Sequence, residues 1–146
     1  MSYVVAEDAL VVILKTVSGF GATNVSKGDY RILGHGIEKA LVLQPGPFSR
    51  ENLAPGIIHT AWVVLVELYI AFKGEISTIA TDLRTERQAV INMVDTYPTL
   101  NRTAGITLGV LEAGDEPELW AVGSRQWWRQ TMRVTVKEAG TVVYAE

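Results

Sequence analysis

The stretch IIHTAWVVLVELYIAFK, residues 57–73, governs how the rest of the chain is read. Its even positions are Ile58, Thr60, Trp62, Val64, Val66, Leu68, Ile70 and Phe72, an almost wholly apolar set. Its odd positions are Ile57, His59, Ala61, Val63, Leu65, Glu67, Tyr69, Ala71 and Lys73, a mixed set. A period of two in which β-branched residues dominate marks a strand with one face in a core. At about 3.3 Å per residue such a strand would span roughly 56 Å if straight. A compact domain of this length has a diameter of only roughly 38 Å. The strand must bend or reach past its own core, and a projecting strand offers unpaired backbone groups to a neighbour. Self-association is the expectation.

Outward from this strand, Gly74 breaks the pattern and residues 75–96 read as the main helix. Ile76, Ile79, Ala80, Leu83, Val90, Ile91 and Val94 form its apolar stripe, with Asp82, Arg84, Glu86 and Gln88 largely off it. Pro98 ends it, because the residue before a proline is pushed out of helical geometry. Upstream, 39–43 reads as a short strand closed by the turn Gln44-Pro45-Gly46-Pro47, with a loop over 48–56. A first helix over 6–16 carries Ala6, Leu10, Ile13, Leu14 and Val17, and Ser18-Gly19-Phe20-Gly21 stops it. Residues 24–36 read as loop with one helical turn around 29–33. Downstream follow a short strand over 106–111, an acidic loop with Glu112, Asp115, Glu116 and Glu118, an alternating strand over 125–137 and a last short strand over 141–144. This order predicts a single α+β domain over 1–146, with a mostly antiparallel (mixed) β-sheet and helices packed on one face. A doubly wound nucleotide fold would need strict alternation of strand and helix, which is absent.

Composition narrows the function. The chain has 146 residues, 48% of them hydrophobic, which suits one packed core and excludes a disordered chain. A formal charge of −3 argues against a general nucleic-acid binder, which needs excess Lys and Arg to displace phosphate counterions. With no cysteine there is no disulfide framework, thiolate metal site or cysteine nucleophile. Glu7 and Asp8 stand where a signal peptide would carry basic residues, and the apolar run over 61–72 contains Glu67 and is too short to span a bilayer. A protein of the reducing cytoplasm, without membrane contact, is expected.

The search for chemistry returns little. His35 and His59 lack a second His or an Asp/Glu at metal-ligand spacing, so a zinc site or catalytic triad is not expected. The acidic loop lacks the ligand order of a calcium-binding loop, so a solvated turn or a contact with a basic neighbour remains. Glu67, in mid-strand, is expected at an edge or interface where it reaches water or an arginine. Gly19-Phe20-Gly21 follows a helix rather than a strand and lacks the third glycine of a phosphate loop. The most suggestive feature is the alternating strip Arg125, Trp127, Arg129, Thr131, Arg133, Thr135 and Lys137, all on one strand face. It reads as a solvated face, as a subunit interface anchored by Trp and Arg, or as a backbone-tracking nucleic-acid surface.

Several features then fall together. A long apolar strand leads into Arg87-Gln88-Ala89-Val90-Ile91-Asn92-Met93-Val94-Asp95, then Tyr97-Pro98-Thr99-Leu100-Asn101, a glycine-bearing strand, Trp127-Trp128 and Val134-Thr135-Val136-Lys137-Glu138. Over about 61–138 this order resembles the tail-terminator (tail completion) proteins of long-tailed bacteriophages. The resemblance implies a structural, non-enzymatic subunit without cofactor or metal. It implies a hexameric ring at the head-proximal end of the tail tube that stops tube polymerisation and docks the head. The implied partners are further copies of the chain, the tail tube protein and the head–tail connector protein, with no sequence-specific nucleic acid. The implied location is the tail-neck region of the virion, after assembly in the bacterial host cytoplasm. On this reading Arg125, Trp127, Arg129, Arg133 and Lys137 would form one side of a subunit contact. Glu112, Asp115, Glu116 and Glu118 would form the other. The alternatives are a head–tail adaptor, a tube subunit, or a small ligand-binding domain with its site near Glu67 and Tyr69.

Overall fold

A computed structural model describes residues 3–21, 23–30, 33, 36–72, 76–122 and 125–141. The elements run α1 (Tyr3–Leu14), β1 (Val25–Lys27), β2 (Lys39–Ala54), β3 (Ile57–Ala71), α2 (Ile76–Thr96), β4 (Ile106–Gly114), β5 (Glu118–Val122) and β6 (Arg125–Thr141). The six strands form one sheet in the order β1-β2-β3-β6-β4, with β5 also paired to β6. Only the short β1–β2 pair is parallel; the other pairs are antiparallel. The fold is therefore α+β with a mixed, mostly antiparallel sheet. β3 and β6 are its spine, paired without a break from Ile57↔Thr141 to Ala71↔Trp127.

The period-two pattern does what it predicts. Val64, Val66, Leu68 and Ile70 of β3 join Met132, Val134 and Val136 of β6 on one face, beside Leu41 and Leu43 of β2. Both helices lie on that face: α1 contributes Ala6, Leu10, Ile13 and Leu14, and α2 contributes Ile79, Leu83, Val90 and Val94. Burying each such Val, Leu or Ile contributes about 1.5–3 kcal/mol, which is what fixes the register. The opposite face carries a smaller cluster of Leu33, Ala40, Val42, Tyr69, Ala71 and Trp127.

The chain after α2 folds back tightly. Leu100, Asn101 and Arg102 are all left-handed, at φ 48, 59 and 60°. This turn drops the buried Leu100 against β4, where a Cβ on Gly109 would lie 2.8 Å from Leu100 Cδ2. The Gly109 amide donates to the Pro98 carbonyl at 2.6 Å, tying the turn to the strand.

Three expectations are corrected. β2 does not end at residue 43 but continues to Ala54, so the turn over 44–47 and the loop over 48–56 are strand. The prolines are tolerated because β1 pairs only residues 41–43, leaving β2 an edge from Gln44 onward, and because a register shift separates Pro45 from Phe48. At that irregularity the backbones close up: a Cβ on Gly46 would lie 2.7 Å from the Val63 carbonyl oxygen. Second, the acidic segment is not one loop: Glu112 lies in β4, Glu118 opens β5, and only Asp115 and Glu116 remain between them. Third, residues 25–27 form β1 rather than loop. The expected turn around 29–33 keeps one bond, from the Leu33 amide to the Tyr30 carbonyl at 3.0 Å. Lys73, Gly74, His35 and residues 142–144 of the expected last strand lie outside the described residues; Thr141 is the end of β6.

The paired strands also outrun the core. No residue of β2 beyond Leu43 is buried, and Phe48, Leu53 and Ile57 around the hairpin are exposed apolar side chains.

Candidate subunit interface

The alternation of β6 places Arg125, Trp127, Arg129, Thr131, Arg133, Thr135 and Lys137 on the helix-free face, as expected. What covers them divides the strip in two. At its first end Trp127 is not an exposed anchor: it is fully buried, edge-on to Tyr69 with centroids 6.3 Å apart and planes at 89°. Leu33 closes over this cluster from the segment between β1 and β2. The Arg125 guanidinium sits 4.6 Å from the Trp127 ring centre, a cation–π contact.

Arg129 is committed within its own chain. Its guanidinium donates to Glu67 Oε2 at 3.1 Å and to both-sided contacts with Glu118 Oε1, through Nε at 2.9 Å and through its second terminal nitrogen. Its other surface lies 3.7 Å from the Trp120 ring centre. Register makes this arrangement possible, since Glu67↔Thr131 and Tyr69↔Arg129 are neighbours across β3 and β6, and Glu118↔Arg129 across β5 and β6. Burial alone would lower the Arg129 pKa, but hydrogen bonds to Glu118 and Tyr69 outweigh it and hold the value above normal.

Glu67 therefore finds an arginine, but on a central strand rather than at an edge. Tyr30 donates to its Oε1 at 2.8 Å, Tyr69 makes a longer contact of 3.4 Å to Oε2, and Gln44 donates to the Tyr30 hydroxyl at 2.8 Å. Burial, then the bond to Glu67, raises the Tyr30 pKa; burial is the main cause of the higher value at Tyr69. Tyr30, Trp120 and Gln44 escaped the sequence reading because each lies far along the chain from Glu67, and periodicity reports only the face a residue occupies.

At the second end Arg133 and Lys137 are exposed. A depression of about 350 Å³ here is lined by Pro47, Phe48, Ser49, Ala61, Val63, Glu112, Thr135 and Lys137. Glu112 thus shares a surface with the basic strip instead of standing opposite it, because a register shift between Leu111 and Ala113 redirects it. Glu118 is consumed by Arg129, while Asp115 and Glu116 are exposed and make no ion pair among the described residues. The nine residues expected to form two complementary sides are therefore not sorted that way. His59 lies exposed in β3 opposite Glu51 of β2.

No family model matches this chain, and no curated protein is similar to it. Among the described residues no three His, Asp or Glu side chains gather as a metal site, and no helix is long and apolar enough to cross a membrane.

Proposed function

We propose that the chain is a ring-forming structural subunit of the tail-terminator kind, capping the head-proximal end of a phage tail tube and joining it to the head connector. One observation carries the reading: the sheet has two open edges that differ in chemistry and lie on opposite sides. Among the described residues β2 has no partner on its outer side from Gln44 to Ala54, and it presents Phe48 and Leu53. β4, at the other extreme of the sheet, carries Glu112 shortly before its end at Gly114 and leads into Asp115 and Glu116. Unlike edges favour heterologous contacts, in which one edge of a copy meets the other edge of the next, and such contacts close into a ring when the rotation permits. The exposed Arg133 and Lys137 lie on β6, between β3 and β4, and add positive charge to the helix-free face. Six copies, tail tube subunits and a connector protein are the proposed partners.

A ligand-binding domain over Glu67 and Tyr69 has less support. Glu67 is 6% exposed and Tyr69 0%, and their polar atoms are taken up by Tyr30 and Arg129. The test is native mass spectrometry of the full chain, then addition of the chain to polymerising tail tube subunits. A sixfold multiple of the chain mass and arrested tube growth are expected. A single copy at high concentration, with tubes growing unhindered, would overturn the proposal.

A further inference from the structure

Away from the strip, on the helix-bearing face, a groove of about 300 Å³ runs between α2 and the β5–β6 edge. Ala80, Leu83, Arg84, Arg87, Pro117 and Trp128 line it. The four helix residues recur at i, i+3, i+4 and i+7, so they share one face of α2. Leu119 pairs directly with Trp128 across β5 and β6, which puts both side chains on the same side of the sheet. It is 50% exposed, an apolar group beside the groove with little of this chain over it.

Two positive charges stand over the apolar floor. The side chains of Arg84 and Arg87 make no ion pair or hydrogen bond with any described residue. Glu86, next to Arg87 in sequence, is held by Lys39 at 2.6 Å and does not neutralise them. Arg87 is half-buried, and no described carboxylate pairs with it. Lys27, Lys39 and Arg129 have acidic partners, whereas Arg84 and Arg87, like the exposed Arg133 and Lys137, have none among the described residues. Among the described residues β5 pairs with β6 alone, which leaves its outer edge without a partner. Two unpaired guanidiniums, an aromatic floor and an unpaired strand edge together match an extended peptide, because guanidinium forks bind carboxylates and strand edges bind backbone.

We propose that this groove docks an acidic segment of a partner protein, its carboxylates on Arg84 and Arg87 and an apolar side chain seated against Leu83, Leu119 and Trp128. The groove is complete within one chain, so the proposal stands whether or not a ring forms.

The probe is a capped, fluorescently labelled peptide, Asp-Asp-Leu-Phe-Asp-Asp, with an Asn-for-Asp version as control, titrated into the full chain and followed by anisotropy. The acidic peptide should bind at least about tenfold more tightly than the control, the size expected for charge-assisted bonds, and weaken with added salt. Arg84→Glu with Arg87→Glu should reduce binding by at least about tenfold while the unfolding midpoint stays near wild type. A second readout needs no charge variant: the Trp128 indole N–H signal, identified by its loss in Trp128→Phe, should shift with peptide while that of Trp62 stays in place. Absent binding, equal binding of the control, undiminished binding by the double variant, or a still Trp128 signal would each overturn the proposal. So would displacement of the peptide by inorganic phosphate at equal affinity, which would mark a site for small anions, or by self-association of the chain, which would make a second copy the occupant.

Discussion

The two ends of β6 carry the same alternating basic pattern and meet opposite fates. Around Arg125, Trp127 and Arg129 the chain supplies its own partners: Leu33 covers the tryptophan, and Glu67, Glu118 and Trp120 hold the second arginine. Around Arg133 and Lys137 none of the described residues is laid over the sheet, and the neighbouring hairpin exposes Phe48, Leu53 and Ile57. One end is finished as an interior; the other is left as a surface. Alternation along a strand fixes which face a residue occupies, and only the long-range fold decides whether that face is closed.

Trp127→Ala should break this contrast most. The side chain is 0% exposed, so its loss leaves a cavity among Val42, Tyr69 and Ala71 and should cost about 3–5 kcal/mol. Arg133→Ala, six positions on and on the same face, should change stability by less than about 0.5 kcal/mol. Urea denaturation of both variants measures the difference, and similar midpoints would mean that the two ends are not distinct.

The contrast also explains what could be read from the sequence. The β3 pattern, the α2 stripe and the Pro98 stop were legible because each is written in a local periodicity or a local steric rule, whatever element later covers the apolar face. The continuation of β2 was not, since Pro45 and Pro47 signal a turn unless one knows that β1 stops at Lys27 and leaves an edge. Nor was β5, whose pairing with β6 turns Glu118 from a loop acid into the partner of Arg129. For the same reason Trp127 read as a candidate anchor: its face was correct, but the cover comes from Leu33, far away in the chain.

A smaller loss is expected from Arg129→Met. It strands Glu67 without its cation, and because the Arg129 side chain retains 18% exposure the cost should be about 2–3 kcal/mol, below that of a fully buried pair. Adding Glu67→Gln should recover most of it, since the uncompensated charge is then gone; a failure to recover would place the loss in packing against Trp120 instead. Alkaline titration follows the same cluster. Burial raises the Tyr69 pKa above its unfolded value, so its contribution to stability is full below about pH 10 and is lost as pH rises through the native value. Near-ultraviolet absorbance should show Tyr69 ionising late, together with unfolding.

Next comes a modest gain. Arg102 holds φ 60°, a left-handed conformation that costs a non-glycine residue roughly 1–2 kcal/mol. Arg102→Gly should therefore stabilise the chain by about 0.5–1 kcal/mol, glycine's greater unfolded-state entropy removing part of the benefit. Asn101→Gly should gain less, because asparagine already tolerates this region. Thermal melts that show a loss at Arg102 would mean that its exposed side chain makes a contact worth more than the relief of strain.

The smallest stability effect tests the other half of the contrast. Leu53 and Ile57 flank the β2–β3 hairpin turn at 51% and 44% exposure, so Leu53→Ser with Ile57→Thr removes little buried surface and should shift the unfolding free energy of the isolated chain by less than about 0.5 kcal/mol. Self-association should respond more strongly, because Leu53 lies on the edge proposed to meet a neighbouring copy and Ile57 stands beside it at the hairpin turn. Sedimentation velocity over a range of concentrations separates the two effects. Weakened assembly at unchanged stability is what an open surface requires. Unchanged assembly with a lowered unfolding midpoint would show that the hairpin belongs to the interior, and the two ends of β6 would then differ only in degree.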